Sequence, residues 1–498
     1  MRLLVVSNRL PIVLEQADHG WQTRPGSGGL VTALAPVLSK WDGTWIGWPG
    51  VPHSDDLDLD RTLADIAREQ GYQLAPVPLT ADEQRDFYEG FSNQIIWPLF
   101  HDLQSLCNFE PEYWTSYVTV NAKFVDVVVR TARPDDFVWV HDYHLMGLGP
   151  RLRQHLPRNR LGFFLHIPFP PPDIFCKLPW RGEVLEDLLR YDLVGFQTPR
   201  DLANFIDCVR TLLPGAKKRR APRGAVRLTH RDRTCVLGAF PIGIDFQEFA
   251  EVAASPAVAE RVRELRADMQ GQRVVLGVDR LDYTKGIPYR LRAFQRALRR
   301  FPDMHRNVTL LQVVVPSRES VQEYQDLKAQ IEQIVSQVNG EFTQPGWVPI
   351  HHVFRSVSRE ELVAYYRLAD VALVTPLKDG MNLVAKEYCA CQRDGDGVLI
   401  LSEFAGSAVQ LGRAAVVVNP YDLDRVAEAV HYAVSLTPRQ RRPAMRRLRR
   451  LVRDHDVHRW VGAFLAAAEP TEPPPSGSVD RASPAGGRPR PREVTSVS

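Results

Sequence analysis

Val371-Ala-Leu-Val374, followed at a short distance by Asp379-Gly-Met-Asn-Leu-Val-Ala-Lys-Glu387, is the stretch on which the reading of this chain turns. The apolar run reads as a buried strand, Asp379-Gly380 as a turn, and the alanine-containing segment as the start of a helix. A strand, a glycine turn and a helix start form a ready anion site. The first helical N–H groups lack internal partners, and the helix dipole is positive there. Asn382 and Leu383 sit where those amides would face a diphosphate. Glu387 lies four residues beyond Leu383, on the same helix face, where a carboxylate can accept from two sugar hydroxyls. Read for function, the segment grips a sugar nucleotide. The plain alternative is an ordinary strand–turn–helix with Glu387 as a solvated charge.

The same rhythm runs outward in both directions. Residues 3–6, Phe137-Val-Trp-Val140, Arg160–Leu165 and Tyr191–Phe196 read as strands before residue 240. Arg273–Val278, Val308–Val315, Val371–Val374, Val398–Leu401 and Ala415–Val418 read as strands after it. Helical segments such as Val118–Val129 lie between them. Alternation of this kind predicts βαβ units and parallel sheets. The expectation is an α/β chain of two doubly wound, Rossmann-like domains facing a central cleft. The N-terminal domain is expected over residues 1–240 and the C-terminal domain over residues 241–455, joined near 240–245. Ligands in such sheets bind beyond the carboxyl ends of the strands, where Asp142 and His166 fall.

The bulk numbers agree with a soluble globular protein. The chain has 498 residues, 44% hydrophobic and 24% charged, with a net charge of +3. That balance gives no polyelectrolyte reason to expect nucleic acid as a partner. No run approaches the roughly 20 apolar residues of a membrane helix, and Ser7-Asn8-Arg9 ends the apolar start too early for a signal peptide. The six cysteines include no Cys-x-x-Cys pair, which predicts reduced thiols and a cytoplasmic location. Asp56-Leu-Asp-Leu-Asp60 lacks the preceding strand of an Asp-x-Asp nucleophile and reads as a solvated acidic turn. Arg439–Arg453 has helical spacing and reads as a solvated basic face. Residues 469–498, rich in Pro, Ser, Gly and Arg, are expected to be a disordered tail.

Several residues carry chemistry. Arg280 and Lys285 follow a strand on a loop closed by Gly286, and two such cations can bracket a diphosphate and stabilise it as a leaving group. Local pairing through Asp279 and Asp282 is the competing use. Arg9 and Arg318 lie at strand ends of different domains, and a guanidinium suits a phosphate monoester. The aromatics of Tyr88–Trp97 then make an apolar wall, or simply core. The Gly26-Ser-Gly-Gly29 loop lets a backbone approach a phosphate. His141, His144 and His166 invite a zinc reading, but no fourth ligand is in view, so Asp142 and His166 are read as sugar hydrogen-bonders. No nucleophile–base pair can be placed.

Ser7-Asn-Arg9, Phe137-Val-Trp-Val-His-Asp-Tyr-His144, Gly162-Phe-Phe-Leu-His-Ile-Pro-Phe-Pro170, Tyr191-Asp-Leu-Val-Gly-Phe-Gln197, Pro241-Ile-Gly-Ile244, Arg280-Leu-Asp-Tyr-Thr-Lys-Gly286 and Asp379–Glu387 together resemble the motifs of the trehalose-6-phosphate synthase family, in order, over roughly residues 1–465. The resemblance implies the GT-B fold, with a last helix near 456–468 returning to the N-terminal domain. It implies retaining transfer of glucose from UDP-, ADP- or GDP-glucose to glucose 6-phosphate, without a protein nucleophile, a cofactor or an essential metal. Matched by position, Gly28, Gly29, Arg280, Lys285, Asn382, Leu383, Val384 and Glu387 are the expected donor residues. Arg9, Tyr88, Trp97, Asp142 and Arg318 are the expected acceptor residues, with one of Trp45 or Trp48 beside them. Asp142, His166, Arg280, Lys285 and Asp379 are expected at the reacting centre. A homo-oligomer and a role in stress protection are further expectations from the family. A glucosylglycerol-phosphate synthase-like transferase and a non-catalytic sugar-phosphate sensor are the alternatives. The segment around His351–Val357, where a base contact is expected, shows no match, which leaves the donor base open.

Overall fold

The computed structural model describes residues 2–17, 20–26, 29–51, 59–221, 224–318 and 321–469. Met1–Ala468 form one compact unit. Gly28, residues 56–58 of the acidic turn and the tail beyond residue 469 lie outside the described residues.

The first sheet has nine strands. They are β1 (Leu3–Arg9), β4 (Thr44–Trp48), β5 (Gln73–Pro76), β6 (Phe137–His141), β7 (Arg160–Phe164), β8 (Leu193–Phe196), β9 (Lys217–Arg220), β10 (Val226–His230) and β11 (Arg233–Ala239). Their order is β5-β4-β1-β6-β7-β8-β11-β10-β9. All neighbours from β5 to β11 are parallel, and β10 and β9 add an antiparallel edge. A small hairpin, β2 (Ile12–Ala17) and β3 (Gly20–Pro25), stands apart. The second sheet is wholly parallel, in the order β14-β13-β12-β15-β16-β17. Its strands are β12 (Arg273–Arg280), β13 (Val308–Val315), β14 (Ile350–Phe354), β15 (Val371–Val374), β16 (Val398–Ser402) and β17 (Val416–Val418).

Across their parallel strands both sheets therefore reverse direction of growth once. The reversal falls between β1 and β6 in the first and between β12 and β15 in the second. Such a switch point leaves a crevice, because the flanking connections leave in opposite directions. The fully buried apolar runs in the central strands, such as Val371–Val374, are what a sheet covered on both faces demands.

The hairpin, β5, β9 to β11 and β14 were not read from the sequence. Short or polar strands such as Lys217-Lys-Arg-Arg220 carry no apolar period. The segment Gln84–Ile96 forms π-helical turns, which neither the helical nor the strand period can flag. The basic segment does form a helix, Pro438–Asp454, but its face is not uniformly solvated. Arg441 is only 2% exposed and pairs with Asp370 at 3.2 Å.

The last helix, Val457–Ala468, lies on the first sheet. Phe464 stacks on Trp139 at 4.4 Å, and Trp460 lies 5.1 Å from it. Deleting a buried ring of this kind costs about 3–5 kcal/mol. The chain thus passes between the halves twice, once after β11 and once before this helix.

Candidate active site

The two switch points place the expected residues at the ends of four central strands. Arg9 ends β1, and Asp142 follows β6. Arg280 ends β12 rather than standing on the loop beyond it, and Asp379 follows β15. Arg9 is in register with Trp48 on the neighbouring strand. Its guanidinium lies 4.7 Å from the Trp48 ring and 5.3 Å from the Tyr88 ring, a cation–π arrangement. Trp45 points to the other face, where its indole N–H donates to Ser7 Oγ at 2.8 Å. Trp48 is therefore the tryptophan on the Arg9 side.

Arg318 arrives from the other half. Its guanidinium lies 4.5 Å from the Trp97 ring. It donates to Tyr324 Oη at 2.5 Å and to Tyr143 Oη at 3.4 Å. Asp282 stands 4.0 Å away. Burial tends to raise the Tyr88 phenol, but Arg318, Arg9 and Arg280 overcome it and hold the phenol below its ordinary value. Positive charge from both halves thus acts on one ring. Neither Arg9 nor Arg280 has an ion-pair partner among the described residues. Trp97 Nε1 and His144 Nδ1 are buried without a hydrogen-bond partner among the described residues. His144 stacks on Tyr88 at 5.8 Å.

On the opposite side Lys285 Nζ is 2.6 Å from Asp379 Oδ2, which also accepts from Asn382 Nδ2 at 3.1 Å. Burial works against the Asp379 carboxylate, yet Lys285 and Asn382 hold it below the usual range. Gly286 adopts φ +65°, and a Cβ there would lie 2.7 Å from the Thr375 carbonyl, so the Lys285 loop needs glycine on both counts. Asn382 caps the helix Leu383–Cys391 through Ala385 N–H at 3.3 Å. Leu383 and Val384 are half-buried on its first turn. Glu387 is not a solvated charge. It accepts from Tyr366 Oη at 2.8 Å, and burial raises its carboxyl against the pull of that hydroxyl and Arg359.

The halves meet at Gly380 and His166. A Cβ on Gly380 would lie 2.2 Å from the His166 carbonyl, so only glycine lets the donor turn come this close. Asp142 Oδ1 accepts the His166 N–H at 3.1 Å. Burial pushes its carboxyl up to about 7, against the Tyr143 and His166 amides, Arg280 and Arg318. Asp142, Arg318 and Asn382 all have positive φ, at 73°, 51° and 70°. Such backbone costs of order 1–3 kcal/mol per residue and gathers at functional sites. Near them His101 is pushed down to about 4 by burial.

The three histidines do not converge as metal ligands. His141 Nδ1 meets His166 Nε2 at 3.1 Å, while His144 turns to Tyr88. Among the described residues no group of three His, Cys, Asp or Glu side chains could hold a metal ion. All six cysteines are free. Among the described residues, no helix is long and apolar enough to cross a membrane. Gly29 opens the helix Gly29–Lys40. Sequence reasoning missed Tyr143 and Tyr324 as neighbours of Arg318 and His101 as a neighbour of the Lys285–Asp379 pair. Tyr143 lay inside a quoted motif; Tyr324 and His101 carried no local signal.

Two facing Rossmann-like halves, with cations at both switch points, define a nucleotide-sugar glycosyltransferase of the GT-B fold. The chain belongs to glycosyltransferase family 20, whose model matches residues 1–470. It is 44% identical to the trehalose-6-phosphate synthase of Mycolicibacterium vanbaalenii over 477 residues, covering 94% of this chain and 96% of that protein. It is 45% identical to that of Mycolicibacterium gilvum over 479 residues, covering 94% of each. Among solved structures it resembles the E. coli protein bound with UDP-2-fluoro glucose, with a TM-score of 0.84, 35% identity and coverage of 94% and 99% of the two chains. A UDP-forming α,α-trehalose-phosphate synthase from Burkholderia xenovorans, in complex with glucose-6-phosphate, gives a TM-score of 0.84 at 34% identity, covering 94% and 100%.

Proposed function

We propose that this protein is an α,α-trehalose-6-phosphate synthase. It transfers glucose from a nucleotide sugar to C1 of glucose 6-phosphate with retention of configuration. The observation that carries the reading is the pair of cation sets on opposite sides of one contact between the halves. Arg9 and Arg318, on aromatic rings, suit the phosphate of a sugar phosphate. Arg280 and Lys285, beside a capped helix start, suit a nucleoside diphosphate.

In this reading Arg9, Tyr88, Trp97 and Arg318 hold glucose 6-phosphate. Gly28, Gly29, Asn382, Leu383 and Val384 cradle the donor, and Glu387 accepts from the ribose hydroxyls. Asp142, His166 and Asp379 orient the two sugars. As the glycosidic bond of the donor breaks, negative charge builds on the departing phosphate oxygen, and Arg280 and Lys285 stabilise it. That oxygen takes the proton of the acceptor hydroxyl, which attacks from the same face. The protein contributes position and electrostatics. The boundaries 1–240, 241–455 and 456–468 are inferred from the two sheets and from the packing of Phe464 on Trp139. UDP-glucose is the first donor to test, since UDP is named for the similar structures. A cytoplasmic homo-oligomer acting in stress protection is proposed on the family resemblance.

The test is direct. The protein is mixed with carbon-labelled UDP-, ADP- or GDP-glucose and glucose 6-phosphate, and products are read by NMR. An α,α-1,1 linkage is expected, and its absence with all three donors would sink the reading.

A further inference from the structure

The two halves are joined by Pro241-Ile-Gly-Ile244, which packs tightly on the return crossing. A Cβ on Gly243 would lie 2.3 Å from the backbone of Asp456, and the Val457 N–H donates to the Ile244 carbonyl at 3.0 Å. Within this connection both polar groups of Ile242 are held by side chains. Its N–H donates to Gln197 Oε1 at 3.0 Å, and its carbonyl accepts from Lys386 Nζ at 2.6 Å.

Lys386 comes from the donor helix Leu383–Cys391, is 1% exposed, and donates a second time to Gln410 Oε1 at 2.7 Å. It has no ion-pair partner among the described residues. An apolar side chain would fill such a site without the cost of burying an amine, so the two carbonyl contacts call for an explanation beyond packing. Gln197 is also buried. With Oε1 taken by Ile242, its Nε2 donates to His166 Nδ1 at 3.5 Å, the longest link. That leaves the His166 proton on Nε2, facing His141 Nδ1 at 3.1 Å. A series of polar contacts therefore runs from the donor helix, through the backbone of Ile242 in the connection between the halves, to the ring of His166. A neutral amine still has two N–H groups for the two acceptors, so the series does not depend on the protonation of Lys386.

We propose that Lys386 is a positioning residue for glucosyl transfer: by holding the Ile242 carbonyl it ties the donor helix to the connection between the halves and, through Gln197, sets the ring of His166. The proposal rests on the reading of the site given above, and its consequence is that the imidazole keeps its tautomer and angle only while the donor helix is seated.

Lys386→Met and Gln197→Met keep side-chain length and delete the polar contacts. Each is expected to lower kcat about 10- to 100-fold, the usual effect of a small misplacement at a reacting centre, with the KM for the nucleotide sugar changed less than about threefold. Acting through one path, the two together are no worse than the slower single variant. Independent contributions would multiply. Multiplying losses, or wild-type kcat in either single variant, overturns the proposal. A second readout needs no turnover. In protein labelled with 15N-histidine, with His166 assigned by its disappearance in His166→Gln, the ring signals shift in both methionine variants. Unmoved His166 signals in Lys386→Met overturn the proposal even if activity falls. If the wild type makes no trehalose 6-phosphate, the functional reading fails, and the ring signals still decide the role of Lys386. Should Lys386→Met not fold, Gln197→Met carries both arms, and wild-type kcat with unmoved ring signals overturns the proposal.

Discussion

The two sides of the site, proposed for the acceptor and for the donor, hold their charge in different ways. On the proposed acceptor side Arg9 rests on Trp48 and Tyr88, and Arg318 on Trp97, with the Tyr324 and Tyr143 phenols closer to Arg318 than the Asp282 carboxylate at 4.0 Å. On the donor side Lys285 is already joined to Asp379 at 2.6 Å. Aromatic faces steady a cation without neutralising it, so the acceptor arginines stand ready for a phosphate dianion. A lysine shared with a carboxylate has less charge to offer a ground-state ligand. Its full value emerges when new negative charge forms beside it. In the proposed reading, the acceptor side is built for binding and the donor side for the transition state.

The sharpest way to break that contrast is at Lys285. Lys285→Ala is expected to lower kcat by about 10²–10³, as loss of one donor to a developing oxyanion does, with the KM for glucose 6-phosphate nearly unchanged. Steady-state kinetics in both substrates checks this, and unchanged turnover would remove Lys285 from the mechanism. Next in size, Arg318→Ala is expected to raise the KM for glucose 6-phosphate about 10- to 100-fold, the worth of a lost charge-assisted hydrogen bond, while nucleotide affinity by calorimetry holds. Equal loss of both would mean that Arg318 serves the donor.

A smaller effect is expected at Asp142. Its folded carboxyl titrates near 7 because it is buried, whereas an unfolded aspartate titrates near 3.9. Between those values the folded state binds the proton that the unfolded state has released, so this group's contribution to stability falls as pH rises. Asp142→Asn removes the dependence. The variant should gain about 1–2 kcal/mol relative to wild type at pH 7, allowing for partial exposure, and nothing near pH 4. Denaturant titrations at the two pH values decide it; a gain that is larger at pH 4 contradicts the assignment. The smallest effect separates two tryptophans. Trp48→Phe is expected to raise the acceptor KM about two- to fivefold through weaker cation–π contact. Trp45→Phe should alter only stability, through the lost bond to Ser7. Reversed effects would place Trp45, not Trp48, at the acceptor.

Much of this was legible beforehand because it is local. The apolar runs at Val308–Val315 and Val371–Val374 announced buried parallel strands, since a central strand covered on both faces has no polar period to hide it. The turn and helix start at Asp379–Leu383 were legible in the same way, and the structure adds the Asn382 cap. What was not legible depended on partners distant in the chain. Glu387 looked like a possible surface charge until Tyr366, 21 residues earlier, covered it. The choice between Trp45 and Trp48 needed the register of β1 on β4. The π-helical turns at 84–96 have no period to read.

The sequence by itself determined the parallel sheets, the chemistry at the strand ends and the family, because each rests on residue types at short spacing. Only the tertiary structure decided which charges are free and which are already paired. It set Lys285 on Asp379, left Arg9 and Arg280 without an ion-pair partner among the described residues, and brought Lys386 and Gln197, 189 positions apart in the numbering, to the backbone of one residue, Ile242. Electrostatic and hydrogen-bond energies depend on distance in space, and the fold brings together at a few ångströms groups that the chain keeps far apart.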